Sequence, residues 1–509
     1  MRQDNYIRDI GYTAGFYPQT APHWLAFAAI VAGRAPGAAL RPKRVYELGM
    51  GQGFGLALLA AANPDVSFEG CDFNPDHVAQ ARRFIVEAKL PNMAVHEMSF
   101  ADAAQAGAAS DIDAAIAHGI LSWVAPDVQR DVVAFLRRRL GGEGTAHVSY
   151  NCAVGWAPLA PIRSLFLEVR RRMEGGSQAQ VTMALDWMQR LRRTHAPLFA
   201  ANPAAARHFD SMLAEEPAYL AHEYLAEAAQ PLNFSEVAAL LGGAGLSYAA
   251  SANLIENVDA LGMPAAALPL LAQAEDPVLR ETLRDFAVNR FFRRDLFSCA
   301  YHPLTPGQQR EALARFRFMQ AVPRAQLRLD FHGPAGPLTG AAGFYGPLAD
   351  RMVDGAGLDE LAHLPAVADA PFERLLQALV LLVESRQVDL VPVADGIDVE
   401  PARRFNRMVV DAARRGVVYG HLASPVTGSG VAVSDLDLLA LAAIADGATL
   451  DPEMIAQRGL AIIAALGRRP MRDGVAIWDD VEAIEFLAEP MRHVVEHSLP
   501  LWQRLGITG

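Results

Sequence analysis

The sequence predicts an α/β fold built on a Rossmann-like, doubly wound parallel sheet, to which mostly helical segments are added. Three observations lead to this fold class. Five short apolar strands alternate with helices between residues 45 and 151, a glycine-rich loop directly follows the first strand, and Asp72 ends the second strand. In such a sheet the ligand lies at the carboxyl ends of the strands, near the point where the strand order reverses.

The composition sets the broad class of the protein. The chain has 509 residues, which corresponds to about three domains at ~150 residues per domain. Apolar residues make up 52% of the chain and charged residues 20%, which is typical of a soluble globular protein. The net charge of -12 argues against a general binder of nucleic acid or of an anionic membrane surface.

The cysteines and the uncharged stretches indicate the expected environment. Cys71, Cys152 and Cys299 are odd in number and unpatterned, so neither a disulfide framework nor a zinc site is expected. No secretory signal is visible, and Gly and Pro interrupt the long uncharged stretches. We therefore expect a cytoplasmic protein with no membrane segment and no metal site.

The glycine-rich loop predicts the cofactor. Residues 45–48 form the first strand, and glycines follow at every second position, at Gly49, Gly51, Gly53 and Gly55. The G-x-G-x-x-G spacing of dinucleotide sites and the P-loop pattern are both absent from this loop. The spacing Glu47-x-Gly49-x-Gly51-x-Gly53 is typical of S-adenosylmethionine sites, because the amino-acid end and the sulfonium of that molecule need close backbone approach and a nearby acidic group.

Two later strand ends complete the predicted cofactor site. Asp72 ends the second strand about 20 residues after the loop, where a carboxylate accepts both ribose hydroxyls, and Phe73 follows it. Ser99 and Phe100 follow the third strand, where the adenine would be stacked and its amino group hydrogen-bonded.

An aromatic and polar cluster precedes the first helix, which is expected over residues 22–32. This cluster either packs against the edge of the sheet or folds over the cofactor as a lid, with Gln19 and Thr20 offering hydrogen bonds. Its members are Tyr6, Tyr12, Phe16, Tyr17, Pro18, Gln19 and Thr20.

Capping residues place the other elements of the sheet. Asn74 and Pro75 stand at the N-cap and first position of a helix, and Gly141 with Gly142 ends a later one. The remaining predicted elements are helices 56–62, 75–89 and 126–139 and strands 93–97, 112–117 and 145–151. Three further helices, 158–173, 178–194 and 204–213, interrupt the fold, and residues 234–248 restore its helix and strand pattern.

The end of the fourth strand bears on the substrate. His118 stands there without the Asn-Pro-Pro-Tyr tetrad common in enzymes that methylate adenine or glutamine nitrogens, so that class is disfavoured. His118 could accept a proton, line the sulfonium pocket without accepting one, or serve only as a hydrogen-bonded structural residue.

Several blocks of the sequence resemble one family, the bacterial methyltransferases that carry a methyltransferase regulatory domain. This family includes the rickettsial protein-lysine methyltransferases that act on outer-membrane protein. The similar blocks span roughly the first 300 residues, with one more near residue 424: Phe16-Tyr17-Pro18-Gln19-Thr20, Glu47-Leu48-Gly49, residues 118–124, residues 148–156, His222-Glu223-Tyr224-Leu225, residues 285–294 and residues 424–430. Met50, Phe54 and Gly55 stand where relatives often have Cys, Gly and Asn, so the contacts near the sulfonium are expected to differ.

The resemblance implies a class I methyltransferase sheet, and the pattern of helices and strands divides the chain into four segments. These are a cofactor-binding domain over 1–155 and 218–255, a helical insertion over 156–217, a regulatory or middle domain over 256–345, and a C-terminal helical or winged-helix-like domain over 346–509.

The resemblance also implies methyl transfer to a protein lysine, which would lose its proton to solvent, His118 or Tyr150. Trp123, Tyr150 and Trp156 are expected to form the acceptor channel, since aromatic rings attract a methylated ammonium. A small-molecule N- or O-methyltransferase and a non-catalytic S-adenosylmethionine sensor are the alternatives. An outer-membrane or surface protein as substrate, a small-molecule substrate and a homodimer are left open.

Overall fold

The computed structural model describes Asp9 and residues 14–299, 302–392 and 396–508. Tyr6 and Tyr12 of the predicted N-terminal cluster lie outside the described residues. Within the described ranges, the main sheet is formed by β1 (Arg44–Leu48), β2 (Ser67–Asp72), β3 (Met93–Glu97), β4 (Ile112–Ala117), β5 (Leu140–Asn151), β6 (Ser247–Ser251) and β7 (Phe292–Ser298).

The strand order of this sheet is β3-β2-β1-β4-β5-β7-β6. The first five strands are parallel, whereas β7 lies antiparallel to both β5 and β6. The order reverses at β1, between β2 and β4, which is the switch point expected for a ligand. The predicted Rossmann-like fold class is confirmed.

Helices cover both faces of the sheet or are inserted after β5. Those of the parallel half are α1 (Pro22–Val31), α2 (Phe54–Ala62), α3 (Pro75–Ala88), α4 (Phe100–Gln105) and α5 (Pro126–Arg139). Those inserted after β5 are α6 (Ala153–Trp156), α7 (Ala160–Arg172), α8 (Ser177–Arg193), α9 (Pro197–Ala201), α10 (Pro203–Met212) and α11 (Pro217–Leu225). Around β6 and β7 lie α12 (Phe234–Gly242), α13 (Asp259–Gly262), α14 (Leu268–Leu271) and α15 (Pro277–Ala287).

One predicted helix end is confirmed, and another is displaced. The side chain of Asn74 accepts a hydrogen bond of 2.9 Å from the Asp76 amide, as an N-cap should. At the other predicted stop, α5 ends at Arg139, but Leu140 is already extended and Gly141 and Gly142 lie inside β5. Strand β5 therefore begins at Leu140, which pairs with Ile112, and its register with β4 shifts between Ile112 and Ala114.

The predicted cofactor-binding domain ends at residue 255, but its sheet continues to residue 298. Strand β7 lies between β5 and β6 and is the sixth strand across the sheet. Its charged residues do not give an apolar strand pattern, yet Arg293 is only 1% exposed. Two of its nitrogens lie 2.7 Å and 2.6 Å from Asp295 and Asp285 carboxylate oxygens. Opposite charges and hydrogen bonds offset the cost of burying such a strand.

The C-terminal half packs directly on the cofactor domain. Its helices are α16 (Pro306–Leu313), α17 (Ala342–Arg351), α18 (Leu358–Ala362), α19 (Phe372–Glu384), α20 (Glu400–Arg414), α21 (Asp435–Ala445), α22 (Pro452–Ala465), α23 (Asp480–His493) and α24 (Leu499–Arg504). Its strands are β8 (Phe316–Gln320), β9 (Asp330–Gly333), β10 (Gly336–Thr339), β11 (Ala356–Gly357), β12 (Val388–Pro392), β13 (His421–Ser424), β14 (Ser429–Ala432), β15 (Met471–Arg472) and β16 (Val475–Ala476).

One ring contact shows how close this packing is. Tyr419 stacks on Phe54 at the start of α2, with ring centroids 4.6 Å apart and planes 8° apart. Both side chains are buried in a core that the two halves of the molecule share. In the ranges that the structure describes, no helix combines the length and the apolar character that crossing a membrane requires.

Candidate active site

A cavity of about 630 Å³ lies along the carboxyl ends of the parallel strands. The strand order gives it two ends. The glycine-loop end follows β1, β2 and β3 and is lined by Glu47, Gly49, Gly51, Asp72, Phe73, Ser99 and Phe100. The other end, here called the chamber, lies beside β5 and the start of β7 and is lined by Tyr17, Trp123, Asn151, Tyr219, His222, Glu223, Phe291, Phe292 and Arg294.

The glycine loop exposes its backbone to the cavity. Gly49 and Gly51 have positive φ angles of 66° and 56°, which side-chain-bearing residues adopt rarely. A Cβ on Gly49 would lie 2.4 Å from the Ile120 Cδ1 atom, whereas a Cβ on Gly51 would meet nothing within 4 Å. The chain therefore leaves space at Gly51 for a ligand to approach the backbone.

Asp72 is fixed by the loop that it faces. Its carboxylate accepts hydrogen bonds of 3.0 Å from the Gly51 amide and 2.9 Å from the Asn74 amide. An ionised carboxylate has about four lone-pair positions, so both oxygens keep capacity for hydroxyl donors. The position at the end of β2 suits the two hydroxyls of a ribose.

Glu47 lies beside Asp72 in the same end of the cavity. Burial, with a smaller contribution from the Asp72 carboxylate, raises the pKa of Glu47 to about 8. A buried carboxyl of this kind gains its charge when a cation lies next to it. The pair of carboxyls thus suits a ligand that carries both an ammonium group and a ribose.

The predicted adenine contacts are brought together, but Gln19 is not. The Ser99 hydroxyl caps α4, accepting a hydrogen bond of 3.2 Å from the Asp102 amide, and Phe100 presents its ring to the cavity. Gln19 lies in the short helix Pro18–Thr20 without lining the cavity, whereas Tyr17 and Thr20 do line it. The N-terminal segment therefore contacts the cavity through Thr20, one of the two side chains predicted to offer hydrogen bonds, and through Tyr17, but not through Gln19.

His118 stands between the two ends of the cavity. Its ring stacks on Tyr17, with centroids 4.0 Å apart, and its Nδ1 atom lies 3.2 Å from the Ser149 hydroxyl oxygen. Burial first, and then repulsion from His147 and Arg294, hold the pKa of His118 well below its usual value. The imidazole is therefore neutral at pH 7 and resists taking up a proton.

The structure does not bring Tyr150 or Trp156 to the cavity. The Tyr150 side chain is fully buried, and its hydroxyl donates a hydrogen bond of 2.7 Å to Asp295. Alternation along β5 explains this, because Asn151 points to the cavity and its neighbour Tyr150 to the other face. Trp156 stacks on Phe291 at 5.1 Å, so Phe291 occupies the wall where Trp156 was expected.

Glu223 is the carboxylate that the chamber presents among the described residues. It lies on α11 and is 8% exposed, and Asn151 donates a hydrogen bond of 3.4 Å to its Oε1 atom. Burial raises the pKa of Glu223 to about 7, against the lowering effect of that hydrogen bond. Residues 222–225 and 285–294 stand out in the sequence as family blocks, but nothing in them indicates that they share a cavity.

Two segments of the chain that line the cavity match models of known protein families. Residues 45–144 match the model of a methyltransferase domain, and residues 216–298 match the model described as a predicted methyltransferase regulatory domain. The chain is a class I S-adenosylmethionine-dependent methyltransferase that carries a methyltransferase regulatory domain. The first match contains the glycine-loop end, and the second contains Glu223, Phe292 and Arg294 of the chamber.

Relatives of the methyltransferase cover most of its length. An uncharacterised protein of Synechocystis is 29% identical over 514 residues, which is 99% of each chain. An uncharacterised protein of Rickettsia prowazekii is 27% identical over 302 residues, which is 57% of this chain and 52% of that protein. The structure of PKMT2 from Rickettsia typhi in complex with AdoHcy superposes with a TM-score of 0.69 at 17% identity, covering 97% of this chain and 99% of that one.

The matched regulatory segment differs from the predicted one. The prediction placed the regulatory domain over residues 256–345, whereas the match covers 216–298. This segment runs from α11 to the end of β7, so it includes the last two strands of the main sheet. It therefore belongs to the wall of the cavity.

Proposed function

We propose that this methyltransferase transfers a methyl group to the amine of a lysine side chain in a protein. The observation that carries this proposal is the lining of the chamber. Aromatic rings surround the carboxylate of Glu223 there, and the Arg294 guanidinium lies in the same lining. An aliphatic chain that ends in an amine matches such a lining, because rings pack on the chain and attract the cation.

The glycine-loop end fits S-adenosylmethionine through groups of this chain. Gly51 leaves room for backbone approach, Asp72 suits the ribose hydroxyls, and Glu47 suits the ammonium. Phe100 provides a ring for the adenine. Bound S-adenosylmethionine supplies a methyl group on a sulfonium, and the chain needs only to align the acceptor and exclude water.

The chamber supplies that exclusion and alignment. Tyr17, Trp123, Tyr219, Phe291 and Phe292 give it an aromatic wall. Each ring can attract an ammonium by about 0.5 to 2 kcal/mol, depending on its solvation. Neutral His118 lies at the junction of the two ends and adds no positive charge that would repel the incoming amine.

Similarity to rickettsial proteins supports the protein acceptor. The name PKMT2 and the sequence blocks shared with rickettsial protein-lysine methyltransferases point to the same substrate class. At 17% identity the structural likeness concerns the fold, so the acceptor rests on the chamber. Outer-membrane and other surface proteins are the first acceptors to test.

A second candidate is methylation of a small amine that also carries a carboxylate. Arg294 favours it, because its guanidinium lines the cavity and lies over the Phe292 ring at 4.8 Å. A free amino acid could place its carboxylate at Arg294 and its amine near Glu223.

Radiolabelled S-adenosylmethionine distinguishes these acceptors. The purified protein is incubated with the label and with membrane, soluble-protein and small-molecule fractions of a host-cell lysate. We expect label in protein, on lysine after digestion and mass spectrometry, and micromolar affinity for S-adenosylmethionine by calorimetry. Label confined to the small-molecule fraction would replace the lysine proposal by the second candidate.

A further inference from the structure

The chamber contains one carboxylate whose position the cofactor does not explain. Glu223 lies on α11, beyond β5, whereas the carboxyls that suit the cofactor, Glu47 and Asp72, follow β1 and β2. Burying a carboxylate costs free energy unless a partner offsets it. The hydrogen bond that Glu223 accepts from Asn151 is long, at 3.4 Å. A cationic ligand would offset that cost.

Asn151 holds this carboxylate at the end of the sheet. The Asn151 amide N–H donates a hydrogen bond of 2.8 Å to the Ser122 hydroxyl, which fixes the last residue of β5. Its side-chain amide then donates to the Glu223 Oε1 atom. The helix and the strand therefore set the carboxylate at one place in the chamber wall.

We propose that Glu223 binds the ammonium group of the methyl acceptor and takes up its proton. This proposal rests on the proposed amine acceptor. One N–H bond of the ammonium breaks and its electron pair stays on nitrogen, while the proton forms an O–H bond with the carboxylate. The products of this step are a neutral amine, whose lone pair can attack a methyl carbon, and a neutral Glu223 carboxyl. The carboxyl later returns the proton to solvent.

Glu223 shares the chamber with other titratable groups, and most of them are poor proton acceptors. Neutral His118 resists protonation, and Tyr17 and Tyr219 carry phenols that are weak bases when protonated. His222 shares α11 with Glu223, and Arg294 faces the same cavity from β7. Arg294 is a permanent cation that cannot accept a proton, and it favours the ionised form of any carboxyl near it.

The ionisation of Glu223 supports the assignment made from its position. Because burial raises its pKa to about 7, the carboxyl lies closer to an alkylamine in proton affinity than an exposed glutamate does. Burial also lowers the pKa of an ammonium group. Both shifts reduce the cost of moving the proton from nitrogen to oxygen.

Binding of a lysine side-chain mimic tests the proposal without requiring turnover. The probe is n-butylammonium, titrated into the protein saturated with S-adenosylhomocysteine and followed by ligand-observed NMR, with n-butanol as the uncharged comparison. We expect butylammonium affinity to rise from pH 6 to pH 8, as Glu223 loses its proton. Glu223→Gln should weaken butylammonium binding about tenfold, remove this pH dependence and leave butanol binding unchanged, since it removes one charge-assisted hydrogen bond.

A matched variant and two independent readouts separate the outcomes. Glu227→Gln, four residues later, removes a carboxylate that pairs with Arg171 at the surface and should behave as the wild type. Equal butylammonium affinity in wild type and Glu223→Gln would overturn the role of Glu223, even when the wild type labels protein lysines. Failure of the wild type to bind S-adenosylhomocysteine would instead overturn the proposed function, and thermal unfolding of each variant checks that it is folded.

Discussion

The backbone builds the glycine-loop end of the cavity, whereas side chains from distant segments build the chamber. Gly49, Gly51 and Asp72 lie within one strand-loop-helix-strand unit of the chain. The chamber instead takes Tyr17 from the N-terminal segment, Glu223 from α11 and Phe292 from β7. One end therefore depends on local geometry and the other on the whole fold.

This difference indicates how the two ends can vary. A loop whose backbone contacts the ligand tolerates few changes, because positive φ angles and Cβ contacts limit the residue types. A chamber of side chains can change its acceptor through single substitutions while the cofactor end stays intact. The regulatory segment supplies much of that chamber, so we expect it to affect acceptor choice more than cofactor affinity.

The largest expected effect at the glycine-loop end comes from Asp72→Ala. Loss of the ribose hydrogen bonds should weaken S-adenosylmethionine binding by about 2 kcal/mol, or about thirtyfold. Calorimetry measures the affinity, and Asp76→Ala, which changes an exposed carboxylate on α3, serves as the control. A folded Asp72→Ala protein with unchanged affinity would show that the ribose lies elsewhere.

The next effect concerns pH and separates the two buried glutamates. Glu47 has a pKa of about 8 in the protein without cofactor, and an adjacent ammonium should lower that pKa, so binding releases a proton. S-adenosylmethionine affinity should therefore rise between pH 6 and pH 7, by up to about tenfold for one proton. Glu47→Gln should flatten this pH dependence, and Glu223→Gln should keep it. The reverse result would mean that the cofactor's ammonium lies at Glu223 and not at Glu47.

A smaller effect is expected from the chamber wall. Trp123→Ala should lower transfer to lysine about fivefold, the consequence of losing about 1 kcal/mol of cation–π attraction. S-adenosylmethionine affinity should stay the same, and Trp187→Ala, on the exposed side of α8, is the matched control. Equal transfer rates for the two variants would remove Trp123 from the acceptor wall.

The smallest effect on transfer is expected from Tyr150→Phe. The Tyr150 hydroxyl donates a hydrogen bond to Asp295 of β7, on the face of the sheet that points away from the cavity. Transfer should therefore change less than about twofold. Loss of that buried hydrogen bond should cost about 1 to 3 kcal/mol of unfolding free energy. Denaturant unfolding and the transfer assay measure the two quantities, and a large loss of transfer without loss of stability would restore Tyr150 to the site.

The sequence predicted the parallel half of the sheet because each element there carries its own signal. Apolar runs mark the strands, and Asn74 with Pro75 marks a helix start. Strand β7 lacks such a signal, since Arg293 and Asp295 become acceptable in a core only through their ion pairs with each other and with Asp285, and through the Tyr150 hydroxyl, 145 residues away from Asp295. Trp123 of the predicted acceptor channel does line the chamber, but the carboxylate of the chamber escaped prediction, because Glu223 and Asn151 are 72 residues apart and meet only in the folded protein.

A crystal structure with S-adenosylhomocysteine tests the two-ended cavity most directly. We expect the ribose hydroxyls at Asp72, the ammonium at Glu47, the adenine beside Phe100, and the sulfur directed toward Glu223 in the chamber. A ligand whose sulfur faces away from the chamber, or whose adenosine occupies the chamber, would contradict the division of the cavity into a cofactor end and an acceptor end.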